Sequence, residues 1–330
     1  MATLFETFDD IKPYVSGANV NNDIETLQGY IDTAADEYLV QYLGRTFFDD
    51  FKEKYNTNSL SANEQALLPY IQRPLAHFTY YLFACDGGLI LDDSGITTAE
   101  NATQKRPAQW QVRDFKNNRL KNAWSALQSM LQFMWTNKAN YTTWRDSAER
   151  KDLWRCVIWE SSRFSKYRTI DGYGTLNALR PYMRMAIDYD ITANLGADFT
   201  SEILQWLETG GTNADFDLLL PYIERCLVFK SLYKASQDLP LQIKATGVYI
   251  EEVDRGLQND NTTKIAENLM KLASTCDAEY QSALSRMKTY LQANASVSKY
   301  ATYFNSDIYT EISTSTAPAE ELYTGKTFMM

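Results

Sequence analysis

The segment Leu67-Leu68-Pro69-Tyr70-Ile71-Gln72-Arg73 recurs 152 positions later as Leu219-Leu220-Pro221-Tyr222-Ile223-Glu224-Arg225. The same shift places Tyr30 on Tyr182, Asp36 on Asp188, Leu43-Gly44 on Leu195-Gly196, Phe47 on Phe199, Leu75 on Leu227, Tyr81 on Tyr233 and Gly95 on Gly247. Further on, Ser125-Ala126-Leu127 and Met130 meet Ser282-Ala283-Leu284 and Met287 at a shift of 157, so the second copy carries a five-residue insertion. Self-similarity held in register over this length requires one structural unit built twice. Every other reading must fit that constraint.

Within the unit the periodicity is helical. From Asn22 to Leu43, Ile24, Leu27, Ile31, Tyr38 and Tyr42 fall on one face. Gly44 stands where a left-handed residue would end the helix. Thr46-Phe47-Phe48-Asp49 reads as the capped start of a second helix, and Ser61-Ala62-Asn63-Glu64 as a capping box opening a third that runs through Phe83. Pro69 suits a first turn or a kink. Gly88 to Ile96, with its counterpart Leu241 to Ile250, predicts a short β-hairpin. Long helices follow, about Pro107 to Trp135 and Thr263 to Leu291.

The fold expected is therefore mainly α: a tandem duplication of three helices, a hairpin and a long helix, with an extended C-terminal tail. The boundaries are 1–148 for the first repeat, 149–174 for a Trp-rich, partly helical linker, 175–300 for the second repeat and 301–330 for the tail.

Composition restricts partners. With 45% hydrophobic residues the chain can fill two cores, and its net charge of −10 disfavours phosphate backbones and anionic membranes. Residues 1–20 have no cationic start and are broken by Pro13, unlike a signal peptide, and no stretch reads as a membrane span. A soluble, intracellular protein is the expectation.

Little points to chemistry. Cys85, Cys156, Cys226 and Cys276 form no CxxC pair and read as buried apolar side chains. The single histidine, His77, faces Phe229 in the second copy, so the repeat gives it no catalytic partner. Gly325-Lys326-Thr327 lacks the upstream glycine of a phosphate loop, with Glu at 320, and Asp171-Gly172-Tyr173-Gly174 lacks the third glycine of a dinucleotide turn. Acidic pairs such as Asp49-Asp50, Asp92-Asp93 and Glu251-Glu252 lack calcium-loop spacing. The tryptophans read as packing at seams. No enzyme, cofactor or metal is expected.

The run Tyr38-Leu39-Val40-Gln41-Tyr42-Leu43-Gly44-Arg45-Thr46-Phe47-Phe48-Asp49-Asp50-Phe51 resembles the opening of head–tail connector (adaptor) proteins of tailed bacteriophages, where a helix ends at Leu/Ile-Gly and a short aromatic helix follows. The Gly95-centred hairpin and long helix resemble the variants found in phages of Bacteroidetes hosts. The resemblance implies a virion protein made in the host cytoplasm: a homo-oligomeric neck ring under the portal that continues the DNA channel, without sequence-specific DNA binding, and receives the tail or the next ring. Twelve copies match a twelve-fold portal, and six duplicated chains would present twelve units. The rival expectation is a monomeric helical-repeat scaffold that binds a protein partner.

The tail joins these readings. Its spaced apolar residues, among them Tyr303, Phe304, Tyr309, Tyr323 and Phe328, favour extended chain lying on another subunit, with these rings as interface anchors.

Overall fold

A computed structural model of the 330-residue chain describes residues 4–15, 24–86, 90–92, 95–97, 109–238, 241–244, 247–250 and 262–310. The chain is mainly helical. After the one-turn α1 (Phe8–Ile11), the first long element is α2 (Ile24–Ala34), whose Leu27, Ile31 and Ala34 are buried at one-turn intervals. It continues through a π-helical segment, Ala35–Leu39, into α3 (Val40–Leu43). The wider π turn rotates the apolar stripe, which brings Tyr42 and Leu43 onto the core side.

Gly44 ends α3 and opens α4 (Arg45–Asn56), as the Leu-Gly motif predicts. Its conformation is not the left-handed helical one expected: φ is +78° and ψ 140°, a positive φ combined with an extended ψ. That region is open to glycine almost alone. Gly196 repeats it, with φ +88° and ψ 148°. The elbow also corrects the predicted cap, since α4 starts at Arg45 with Gly44 as N-cap and Thr46 already inside the first turn. Ser61 and Glu64 do form the reciprocal box, Ser61 N donating to Glu64 Oε2 at 2.8 Å and Glu64 N to Ser61 Oγ at 3.4 Å.

That box opens α5 (Ala62–Asp86), which carries Pro69 and Pro74 in its interior rather than in its first turn. Strands β1 (Ile90–Asp92) and β2 (Gly95–Thr97) pair antiparallel with Asp92 opposite Gly95. The long α6 (Gln109–Thr136) then packs along α5, burying Ala123, Leu127, Met130, Leu131 and Met134. A single turn, α7 (Thr142–Arg145), closes the unit: Trp144 is fully buried and its Nε1 donates to Tyr42 O at 3.0 Å.

After α8 (Ala148–Trp154) the order repeats: α9 (Ser161–Ser165), α10 (Tyr173–Met185), a π segment Ala186–Ile191, α11 (Thr192–Leu195), α12 (Ala197–Thr209), α13 (Ala214–Asp238), hairpin β3 (Leu241–Lys244) and β4 (Gly247–Ile250), α14 (Thr262–Asn294) and α15 (Ala301–Phe304). Gly247 lies opposite Lys244 as Gly95 lies opposite Asp92.

The duplication extends to individual contacts. Tyr70 stacks on Phe133 at 4.2 Å and Tyr222 on Tyr290 at 4.6 Å. Phe47 meets Tyr141 edge-on at 6.4 Å, and Phe199 meets Tyr300 at 5.9 Å. Tyr141 OH donates to Asn63 O at 2.8 Å, and Tyr300 OH to Asp215 O at 2.6 Å. These correspondences redraw both ends of the unit.

The segment read as linker is the opening of the second copy. Tyr14 OH donates to Gln72 Oε1 and Tyr167 OH to Glu224 Oε2, each at 3.1 Å, and Gln72 and Glu224 occupy equivalent positions. Thus α9 repeats α1, and Val157, Ile158 and Phe164 are buried as Leu4, Phe5 and Ile11 are. Likewise the start of the predicted tail is helical: α15 repeats α7, and Tyr303 fills the place of Trp144.

The two units share one core running from Leu4 to Tyr303. Where they join, Trp135 lies 4.7 Å from Trp154, which stacks on Trp159 at 4.5 Å and meets Trp144 edge-on at 5.9 Å. Arg150 is buried among these rings, its Nη1 donating to Glu208 O. Packing at a seam is the role expected of the tryptophans, and these four fill it, whereas Trp110 is 59% exposed. No helix among the described residues is long and apolar enough to cross a membrane.

Candidate functional site

Among the described residues, two clefts bring polar groups together. The first is the junction, where α10 packs against α3 and α6. Arg180 of α10 is 8% exposed and donates to Tyr173 OH and, at 3.0 Å, to Asn177 Oδ1, which also accepts from Tyr42 OH at 2.7 Å. Its guanidinium lies 5.0 and 5.1 Å from the Tyr42 and Tyr173 ring centres. Burial drives the Tyr173 hydroxyl well above the usual phenol range, so it stays a neutral acceptor for the cation. A cleft of about 360 Å³ borders this cluster, edged by Glu149 and by Arg184, which pairs with Asp152. Both terminal nitrogens of Arg180 are partnered inside the chain and only its buried Nε is left without an acceptor, which marks the cluster as the clamp between repeats.

The second is a groove of about 770 Å³ between α13 and α14, open to solvent. Leu218, Pro221, Tyr222, Arg225, Arg286 and Tyr290 line it. Tyr167 forms one edge, its OH donating to Pro221 O at 3.1 Å while the Arg225 guanidinium lies 5.6 Å from its ring. Beneath it Arg163 pairs with Glu224, which is buried at 3% exposure. The Glu224 carboxylate and burial together push the Tyr167 hydroxyl up to about 12, burial being the larger cause. The equivalent surface of the first repeat carries Tyr14, Pro69, Tyr70, Arg73 and Phe133. There Ala66 replaces Leu218 and Ser129 replaces Arg286.

Among the described residues the reactive side chains do not converge. His77 is buried in α5, and burial, then Arg119 and Arg73, hold its imidazole down at about 4. Buried thiols are pushed up, that of Cys226 to about 12, away from thiolate chemistry. The side chain of Cys85 lies outside the described residues. Asp49 and Asp50 pair with Arg45 and Lys54, and no group of three metal-capable side chains gathers among the described residues.

Of the anchors expected to meet another subunit, Tyr303 is 1% exposed, with its ring centre 5.5 Å from Phe199, so it belongs to its own core. Closing the second unit requires an aromatic there, as Trp144 shows for the first. Phe304 and Tyr309 are half-buried and pack on each other at 4.7 Å. Tyr323 and Phe328 lie outside the described residues, as do Gly325-Lys326-Thr327. Neither Arg180 nor the Arg163–Glu224 pair stands out in the sequence. The Tyr14 to Tyr167 spacing of 153 was the available signal, one residue off the main register.

A family model, described as a family of unknown function and designated DUF6712, matches residues 39–152 and again residues 191–312. Both matches begin inside a π segment and run past the closing turn, α7 in one case and α15 in the other. No curated protein and no solved structure matches the chain.

Proposed function

This chain belongs to the DUF6712 family, whose domain it carries twice, and we propose that it is a structural virion protein, a ring-forming head-to-tail connector of a tailed bacteriophage. In this reading it docks below the portal, extends the DNA channel and joins capsid to tail at the neck, in twelve copies or, less simply, six. The observation that carries the reading is the Leu-Gly elbow, which turns a helix into a short aromatic one at Gly44 and Gly196 with matching backbone angles.

Other features support it. A net charge of −10 suits a wall past which DNA slides, because carboxylates repel phosphates rather than hold them. The Arg180, Tyr173, Asn177 and Tyr42 groups of the junction bond to one another across the two repeats, which suits a rigid structural part. Tyr303, Ile308 and Tyr309 pack on their own unit, so the crossing proposed for the tail is confined to residues 311–330.

One observation favours the rival reading, a monomeric helical-repeat scaffold. Tyr42 and Trp124, which receive α10 at the junction, have Asn194 and Gln281 as counterparts in the second repeat. The outer face is polar where the inner one is aromatic, so a third unit cannot add as the second does. A ring must then use another surface. Negative-stain images of the purified protein separate the two readings. Closed rings of twelve or six chains support the connector, and isolated two-lobed particles at every concentration support the scaffold.

A further inference from the structure

The groove of the second repeat differs from its first-repeat equivalent in two ways that both favour a ligand. Leu218, 56% exposed, replaces Ala66 and adds an apolar wall beside the stacked Tyr222 and Tyr290. Arg286 replaces Ser129 and adds a second exposed cation near Arg225. In a chain of net charge −10, neither arginine has an ion-pair partner among the described residues. The groove thus offers an aromatic and aliphatic floor flanked by two guanidinium groups with no carboxylate partner among the described residues, the chemistry that takes a short acidic segment with large side chains beside its carboxylates.

The chain carries such a segment. The described structure ends at Thr310, and residues 311–330 include Pro318-Ala319-Glu320-Glu321-Leu322-Tyr323, two carboxylates followed directly by an aliphatic and an aromatic side chain. Extended, residues 311–330 span roughly 60 Å, enough to leave their own unit. There is one such tail and one such elaborated groove per chain.

We propose that the α13–α14 groove binds the 318–323 segment of a second copy of this chain, with Arg225 and Arg286 pairing to Glu320 and Glu321 and with Leu322 and Tyr323 on the Leu218, Tyr222 and Tyr290 surface. This deepens the connector reading on which it rests. A tail entering the next subunit's groove is a heterologous contact, which closes into a ring when its rotation permits. The polar outer face of the second repeat leaves that role open.

Full-length chains with reversed charges test it. Arg225→Glu/Arg286→Glu reverses the groove, and Glu320→Lys/Glu321→Lys reverses the tail. Each variant alone is expected to stay monomeric by light scattering, while their mixture associates, because each tail then meets a groove of opposite sign on the other chain. A labelled peptide of residues 311–330 is expected to bind the full chain saturably and about tenfold more weakly to the groove variant. Circular dichroism confirms that both variants are folded. If each variant alone assembles as the wild type does, the groove is not the receptor, although the ring stands. If tails dock on their own chain, mixing changes no mass, and the second-copy assignment is overturned. A wild type that stays monomeric while the peptide still binds refutes the ring and leaves the groove assignment intact.

Discussion

Replacing Gly44 with Ala tests the elbow against a control fifteen residues upstream. At φ +78° and ψ 140° a Cβ is strained whatever the space around it, at a cost of about 1–3 kcal/mol. The new methyl would lie 2.9 Å from Glu149 Oε2, the free end of a side chain that can swing away, so most of the cost is backbone. At Gly196 the methyl would meet only Ile308 Cδ1 at 3.5 Å, an ordinary contact, and the backbone angles are nearly the same. The two substitutions should therefore destabilise by similar amounts.

Gly29 supplies the opposite sign. It sits within α2, and a Cβ added there would meet nothing within 4 Å, so Gly29→Ala should stabilise by about 0.5–1 kcal/mol. Urea unfolding followed by circular dichroism reads all three as midpoint shifts at unchanged slope. Gly44→Asn separates this extended-ψ backbone from the left-handed helical one, because Asn is tolerated at ψ of about 30–60° and not at 140°. A Gly44→Ala or Gly44→Asn protein as stable as wild type would refute the elbow geometry.

Three further outcomes are expected. Trp144→Ala empties the site closed by α7 and should cost about 3–5 kcal/mol by the same unfolding assay, whereas a loss under about 1 kcal/mol would mean that the turn does not seal the unit. Arg163→Ala strands the buried Glu224 carboxylate and should cost about 3 kcal/mol, and Glu224→Gln, the residue the first repeat carries as Gln72, should recover most of it; no recovery would contradict the repeat equivalence. The His77 imidazole titrates near 4 when folded and near 6.5 when unfolded, so its contribution is intact above about pH 6.5 and is lost as pH falls toward 4. His77→Phe, matching Phe229, should therefore lose less stability between pH 7 and pH 5 than wild type, and an identical loss would show that His77 is not buried neutral.

The helices, elbows and hairpins were legible because each depends on local pattern: the buried stripe of α2, the Leu-Gly pairs, the Ser61–Glu64 box. The ends of the unit were not. Opening and closing segments are tied to the rest of the unit by contacts at long range, among them those of Tyr14 and Tyr167, Tyr141 and Tyr300, Trp144 and Tyr303. Their registers of 153 and 159 drift from the main one, so a fixed shift passes over them. Trp144 and Tyr303 share a role and not an identity. The π segments have no composition of their own, and the Arg180 clamp exists only once α10 reaches α3 across the junction. Tyr303 shows the general hazard, since spaced aromatics in a polar segment suit a subunit anchor and a closing plug equally well.

Charge-detection mass spectrometry of the purified full-length protein tests the central claim most directly. The connector account predicts a closed particle of twelve chains, or six, that persists on dilution. A particle of one chain at every concentration, or a closed number other than twelve or six, would contradict it.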